Sequence, residues 1–357
     1  MRSIFVLFLL ILSFNNLFSQ TIGLTQVPNK IVPTEFYIQQ VIDARADQKA
    51  VAYLLNSIND KKVNAVNFST SLPEAVFQFI GKFSNQNKSL RPVILRINKF
   101  GIHESAISAN TIAGNLEIGL SFELKNGDDF VKLIEYNGTA SYKRGEKDLS
   151  AVSRLLSQAI SNSLEYFNKW IIAEAATNEY LARSVQLNFI DETQINADTV
   201  FYDYKRPLNW KDFKSKPLGD NKYAATVFAF FAVESQNKIS NGVIQVDINL
   251  KAYVVKNFSW VRDFARNSAT LNHEQKHFDI AKIVAERFKK KLQNETLNPD
   301  NYEGIISFEY IESLRELDTM QKQYDNETQH GTNPLMQSVW NQKIETELKA
   351  FTKSLTN

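Results

Sequence analysis

The chain has 357 residues, of which 43% are hydrophobic and 12% aromatic, so it can form the cores of two ordinary domains. Its 41 basic and 39 acidic residues give a formal net charge of +2, which argues against a nucleic acid or an anionic membrane as the partner. It contains no cysteine, so neither disulfides nor a thiolate metal site can form.

The first residues predict a secretory signal peptide. A positive start at Arg2 precedes an apolar run from Ile4 to Phe14, which is too short to span a bilayer. We place the signal peptide at residues 1–19, with cleavage after Ser19. No cysteine follows to carry a lipid anchor, and no later segment offers the roughly 18 consecutive apolar residues of a membrane helix. The sequence therefore predicts a secreted or periplasmic protein with no transmembrane segment.

Residues 20–180 predict an α+β domain. Four segments have the composition or alternation of strands: Phe36–Ile42, Pro92–Ile97, Leu116–Leu124 and Phe130–Tyr142. The Asn126-Gly127 pair between the last two predicts a hairpin turn. Helical spacing of apolar residues predicts one helix that begins at Leu72 and a longer one from Leu149 to Ile171. This order of elements predicts an antiparallel sheet with the helices packed on one face.

The arrangement of this first domain, together with the run Val41–Arg45, resembles small envelope-lipoprotein domains of bacteria. The resemblance implies an envelope-type domain, whose partner the sequence leaves open. The following residues, 181–199, are polar and without periodicity, so we predict a linker there. A second domain is expected at residues 200–357.

The second domain carries His-Glu-x-x-His at His273, Glu274 and His277, within a predicted helix over Leu271–Leu292. Residues four apart stand on one face of a helix, so both imidazoles can be directed at one zinc ion. Glu274 would lie near the open side of that zinc and could take a proton from its water. The motif therefore predicts Glu274 as the catalytic base.

A catalytic zinc usually takes three protein ligands and leaves one position open. The natural third ligand is His330, which lies in a polar stretch with Gly331 behind it, a pattern that predicts a turn or a helix end. Asp325 and Glu327 in the same stretch are the alternatives, since zinc also accepts carboxylate oxygen.

Two neighbouring side chains have open roles. Tyr324 is either an oxyanion donor or, as we favour, a core or helix-end residue. Asp279 either orients an imidazole or is a solvated helix carboxylate. The segments Tyr223–Val233 and Val243–Val255 predict an antiparallel strand pair separated by polar residues. A strand beside the active-site helix can bind an extended peptide along its edge.

Three runs carry a family resemblance: Pro-Leu-Asn-Trp-Lys-Asp-Phe at 207–213, Asn-His-Glu-Gln-Lys-His-Phe-Asp at 272–279, and Tyr324-Asp325 with Thr328 and His330-Gly331. Together they resemble uncharacterised bacterial proteins described as predicted secreted zinc-dependent proteases. The resemblance extends from about Val200 to the C-terminus. It implies a zincin-like metallopeptidase domain with zinc as the cofactor, and it supplies no substrate.

We therefore predict a secreted zinc-dependent metallopeptidase that hydrolyses a peptide or protein substrate with a zinc-activated water. One alternative is a non-catalytic cell-envelope binding module with a structural or vestigial zinc site. Four protein ligands, with Asp325 or Glu327 joining the three histidines, would favour that alternative. Another is a zinc hydrolase that acts on a different amide, such as a cell-wall crosslink.

Overall fold

The structure is a computed structural model that describes residues 22–26, 30–59, 62–191, 197–217 and 223–354. The predicted signal peptide, residues 1–19, lies outside this described part. The chain divides into two compact units, Met1–Glu174 and Ala175–Asn357. Both units combine strands and helices, in agreement with the predicted α+β class. Among the described residues, no helix is both long and apolar enough to cross a membrane.

In its described residues, the first unit forms a six-stranded sheet and two helices. The strands are β1 (Phe36–Asp43), β2 (Ala52–Leu55), β3 (Val63–Val66), β4 (Arg91–Ser108), β5 (Thr111–Asn126) and β6 (Asp129–Arg144). The helices are α1 (Leu72–Phe83) and α2 (Ser150–Glu174).

The sheet has the order β3-β2-β4-β5-β6, with β1 also paired to β4. Strands β4, β5 and β6 are antiparallel, and the predicted hairpin turn is confirmed by Gly127, whose φ is +60°. The prediction of an antiparallel sheet is nevertheless wrong for β1 and β2, which both run parallel to β4. Helix α1 lies between β1 and β4 in the chain, and such a crossover returns the chain in the direction in which it left. The sheet is therefore mixed.

The core of the first unit lies between its helices and its sheet. Helix α2 packs against β5 and β6, and Phe167 stacks on Phe122 with ring centroids 4.1 Å apart. Glu104 of β4 and Arg144 of β6 form a completely buried ion pair, with Nε 2.6 Å from Oε1 and Nη2 2.7 Å from Oε2. Because both oxygens and both nitrogens are paired, this buried charge is compensated.

The second unit, in the residues described, contains six strands, three α-helices and four short 3-10 helices. The strands are β7 (Ser184–Asp191), β8 (Thr199–Phe201), β9 (Ala225–Thr226), β10 (Ala229–Ser240), β11 (Val243–Val255) and β12 (Trp260–Val261). The helices are α3 (Ser268–Asn294), α4 (Tyr302–Thr328) and α5 (Pro334–Ser354).

Strand β7 occupies the segment predicted as a linker. It pairs in parallel with β11 from Ser184 to Asp191, and its residues Val185, Leu187 and Phe189 pack against the core of the second unit. The predicted linker at 181–199 is therefore wrong, because the second unit already begins at Ala175.

The predicted antiparallel strand pair is confirmed as β10 and β11, which pair along their whole length. The polar residues expected to separate the strands belong to β10 instead, and the turn lies at Asn241-Gly242, with φ of 53° and 72°. Strand β10 is at the edge of its sheet, so these polar side chains remain exposed.

Helix α3 is the central helix of the second unit. Its N-cap is Asn267, whose side chain accepts a hydrogen bond from the Thr270 N–H. The helix packs against β10 and β11 and also against α4 and α5, and Phe278 and Phe288 are buried in the resulting core. Side chains near its first turns are thus surrounded on several sides by other elements.

Helix α4 ends at Thr328, so Tyr324, Asp325 and Glu327 lie in its last turns. Tyr324 and Thr328, four residues apart, are both completely buried. After the helix, Gln329, His330 and Gly331 all have positive φ, of 52°, 53° and 80°. This left-handed turn reverses the chain into α5.

Candidate metal centre and catalytic pocket

Three side chains of the second unit converge at one point. Nε2 of His277 lies 2.9 Å from Oδ1 of Asp325, and Nε2 of His273 lies 3.1 Å from the same oxygen. The potential ligand atoms of the three residues all lie within 4.8 Å of one another. Helix α3 supplies both buried histidines, as the motif predicts, and the last turn of α4 supplies the aspartate.

The structure therefore brings Asp325, the alternative third ligand, into the group instead of His330. The imidazole of His330 is half-exposed, and its Nδ1 lies 3.5 Å from Oδ1 of Asp325. Its ring contacts that of Tyr223 at 4.7 Å. Glu327, the other alternative, accepts hydrogen bonds from Trp340 and Gln323 and does not join the group. Asp325 is brought to this point because α4 extends to Thr328, which places Asp325 on the helix directly after the buried Tyr324.

The two imidazoles stabilise the charged form of the Asp325 carboxylate. Burial alone would raise the pKa of Asp325, but hydrogen bonds from His273 and His277 hold it well below its ordinary value. Burial is the largest single influence on His273 and lowers its pKa, but the hydrogen bonds to Asp325 and Gln337 and the charges of Glu274 and Asp325 together outweigh burial, so the pKa is raised above its ordinary value. A metal that takes these ligands must displace their protons.

Two buried side chains, Tyr324 and Gln337, contact the imidazole of His273. The Tyr324 ring stacks on the His273 ring at 4.7 Å, and its hydroxyl donates to the His273 carbonyl at 3.2 Å. Tyr324 is completely buried, in agreement with the prediction of a core residue. It does not line the pocket that His273 and Glu274 line. On α5, Oε1 of Gln337 lies 3.1 Å from Nδ1 of His273. No motif or spacing in the sequence distinguishes Gln337 from the other polar residues of α5.

The two histidines differ in this support. Nδ1 of His277 is buried and has no hydrogen-bond partner among the described residues. Gly331 leaves room for His273, since a Cβ at this position would lie only 3.0 Å from Cγ of the imidazole. The glycine after His330 is therefore required by the packing of the first histidine of the motif.

Glu274 lines the same pocket as His273, His277 and Asp325, and a backbone N–H orients its side chain. It is only 4% exposed, and its Oε2 accepts a hydrogen bond of 2.8 Å from the Val227 N–H. Its Oε1 makes no hydrogen bond to a described residue. Burial raises the pKa of Glu274, and the neighbouring His277 and His273 offset only part of that effect. Such a carboxylate is oriented and more basic than one in water.

Asp279 has a structural role that the sequence left open. Its oxygens accept hydrogen bonds from Tyr202, Gln275 and Lys276, at 3.0, 2.9 and 2.8 Å, and from no imidazole. Gln275 also accepts from the Leu208 N–H at 2.7 Å. The run at 207–213 is thus fastened directly to the helix that carries the histidines.

His273, Glu274, His277 and Asp325 line a pocket of about 450 Å³. One wall is formed by residues 223–227, another by the first turns of α3, and a third by the turn at 330–332. In the wall formed by residues 223–227, the Ala224 carbonyl accepts a hydrogen bond from the Arg262 N–H on the β12 side of the strand. The Phe228 N–H also points to that side and donates to Oγ of Ser259. The Val227 N–H points to the other side and donates to Glu274. Because backbone groups alternate along a strand, Ala225 directs its N–H and C=O to the same side as Val227. The open edge of β9 therefore faces the pocket.

Comparisons with known proteins add little to this geometry. No protein-family model matches the chain, and no curated protein matches it. A solved structure of a Xanthomonas campestris protein, described by the family model DUF330, has 8% sequence identity and a TM-score of 0.27. That match covers 43% of this chain and 91% of the other. A likeness this low carries no argument about fold or function.

Proposed function

We propose that the second unit is a zinc-dependent peptidase of a secreted or periplasmic protein, with its active site in the pocket beside His273 and His277. The observation that carries the proposal is the convergence of these two imidazoles and Asp325 next to an oriented, buried Glu274. The His-Glu-x-x-His motif and the resemblance of the sequence to predicted secreted zinc proteases agree with it.

The three residues fit a catalytic zinc in number and chemistry. Two imidazole nitrogens and one carboxylate oxygen form a three-ligand set of a kind that is known for catalytic zinc, and it leaves one position open. When bound, zinc would lower the pKa of a water toward about 7 and polarise a substrate carbonyl. His273, His277 and Asp325 would hold it.

Glu274 would act as the proton carrier. The Val227 N–H fixes Oε2, so Oε1 is the oxygen that can accept a proton from the attacking water and return it to the leaving amine. The raised pKa of this buried carboxyl favours both transfers, because the group can be protonated and deprotonated closer to neutral pH.

An extended peptide would bind along β9. Alternation along the strand directs the N–H and C=O of Ala225 toward the pocket that this residue lines, where they can pair with a peptide backbone as an added strand. The carbonyl already accepts from the Thr226 hydroxyl at 2.8 Å, and its second lone pair can accept from a peptide N–H. The lining of the pocket offers small and neutral polar side chains on the opposite wall, including Asn267, Ala269 and Thr270. This arrangement supports recognition of the backbone of a peptide or protein substrate.

The test combines metal content with turnover. We expect about one zinc per chain in the purified protein, loss of zinc in Asp325→Ala, and retention of zinc without peptide cleavage in Glu274→Gln. The matched control is Glu295→Gln, which changes an exposed glutamate just after α3 and should alter neither property. Peptide cleavage by Glu274→Gln at the wild-type rate would remove Glu274 from the mechanism.

A second candidate function is a non-catalytic envelope module with a structural zinc site. It is favoured by one observation, the 3.5 Å distance between His330 and Asp325, which could supply a fourth ligand and close the site. X-ray absorption of the zinc-loaded protein distinguishes the two. Loss of one imidazole from the zinc shell in His330→Ala supports the structural site, and an unchanged shell supports the open catalytic one.

A further inference from the structure

We propose that Gln337 is a positioning residue that holds the proton of His273 on Nδ1 and so presents Nε2 to the metal. This inference rests on the proposed function, because it concerns a ligand of the same centre. Gln337 lies on α5, is 9% exposed, and belongs to none of the runs that carry the family resemblance.

The hydrogen bonds around Gln337 fix the orientation of its amide. Tyr324 has one hydroxyl proton, which it donates to the His273 carbonyl, so its oxygen must accept from Nε2 of Gln337 at 2.7 Å. The second proton of Nε2 is donated to Oδ1 of Asn341 at 2.9 Å. That oxygen also accepts from Nδ2 of Asn272 at 3.2 Å, so the Asn341 amide is fixed as well.

Both protons of the Gln337 amide are therefore committed, and its oxygen is the atom that faces His273. A carbonyl oxygen can only accept, so Nδ1 of His273, 3.1 Å away, must be the donor. Nε2 is then the nitrogen left for a metal, and it is the one directed at Asp325. The proton on Nδ1 is set by hydrogen bonds among four residues, which are Gln337, Tyr324, Asn341 and Asn272.

The two histidines of the motif are accordingly unequal. His273 has this hydrogen bond, whereas Nδ1 of His277 has no partner in the described part of the chain. A partner on the second nitrogen of a metal-binding histidine is commonly worth about 10- to 100-fold in metal affinity. The contribution of Gln337 should be of that size.

The test measures zinc affinity by competition with a chelator. Gln337→Met keeps the length of the side chain but cannot accept the hydrogen bond, and we expect affinity to fall about 10- to 100-fold. Gln337→Glu also loses the two amide protons that Tyr324 and Asn341 accept, but it still accepts from Nδ1, so its zinc affinity should fall clearly less than that of Gln337→Met. The control Gln342→Met alters an exposed residue of the same helix and should have no effect.

Wild-type affinity in Gln337→Met would overturn the inference, as would an equal loss in both Gln337 variants, which would indicate packing alone. ¹⁵N NMR of the wild type tests it without a variant: a protonated Nδ1 on His273 supports it, and an unprotonated Nδ1 overturns it. If the wild type binds no zinc, the proposed function fails, and the spectrum of the metal-free protein, recorded at a pH high enough for His273 to be neutral, still decides which nitrogen carries its single proton.

Discussion

Replacing Gly331 with alanine tests the packing that holds His273 in place. Gly331 has a φ of +80°, in the left-handed region. A Cβ there would lie 3.0 Å from Cγ of His273 and 3.3 Å from its Nδ1. The imidazole has little freedom to move, because it also stacks on the buried Tyr324 at 4.7 Å and binds Gln337. The substitution should therefore disturb the metal ligand itself.

Two costs are expected. Left-handed backbone costs alanine about 1–2 kcal/mol, and insertion of a methyl group into packed atoms costs about 1–3 kcal/mol. The free energy of unfolding of the second unit should therefore fall by about 2–5 kcal/mol. A loss of only 1.4 kcal/mol in the binding free energy of zinc corresponds to about tenfold in affinity, so we expect at least that loss.

The assay is urea unfolding followed by tryptophan fluorescence, together with chelator competition for zinc. Three of the four tryptophans, Trp210, Trp260 and Trp340, report on the second unit. The matched control is Gly242→Ala, also at positive φ, where the new Cβ would meet the Ala175 carbonyl oxygen at 3.2 Å and not an imidazole. It should lose stability and keep its zinc. Equal zinc affinity in the two variants would refute the reasoning.

Three further predictions concern the two units separately. Asp279→Asn should leave zinc affinity unchanged in chelator competition, because Asp279 contacts no imidazole, and a tenfold loss would contradict this role. The raised pKa of His273 contributes stability below pH 6.5 that is lost as pH rises through the folded-state pKa, so the urea midpoint of the metal-free protein should fall above pH 6.5. Asp325→Asn should flatten that dependence, and an equally steep fall in this variant would count against it. Glu104→Gln should destabilise the first unit by about 3–5 kcal/mol in thermal or urea unfolding, since it leaves the buried Arg144 charge unpaired, and an unchanged midpoint would disprove that role.

The helix with His273 and His277 could be predicted from sequence because both histidines and the apolar stripe repeat at helical spacing. The choice of Asp325 over His330 could not, since a polar run before a glycine also indicates a turn. A signal was present in Leu317, Met320 and Tyr324, which continue the buried face of α4 at spacings of three and four. The prediction followed the preference of zinc for histidine and therefore selected His330, although this spacing favours Asp325.

Contacts between distant segments account for the other differences. The linker prediction for 181–199 missed the alternation of Val185, Leu187 and Phe189, because this short run lies among polar residues and its partner β11 lies more than fifty residues later. The parallel direction of β1 depends on how α1 crosses the sheet, which local sequence does not specify. Gln337 acquires its role only when α5 packs beside α3, so no local pattern could identify it.

The eight residues of β7 decide where the second unit can be separated for expression. A fragment that starts at residue 200 would lack them, and residues 243–250 of β11 would have an uncovered edge. Such an edge pairs readily with other chains, so this fragment should aggregate. A fragment that starts at Ala175 retains β7, so residues 243–250 of β11 stay paired.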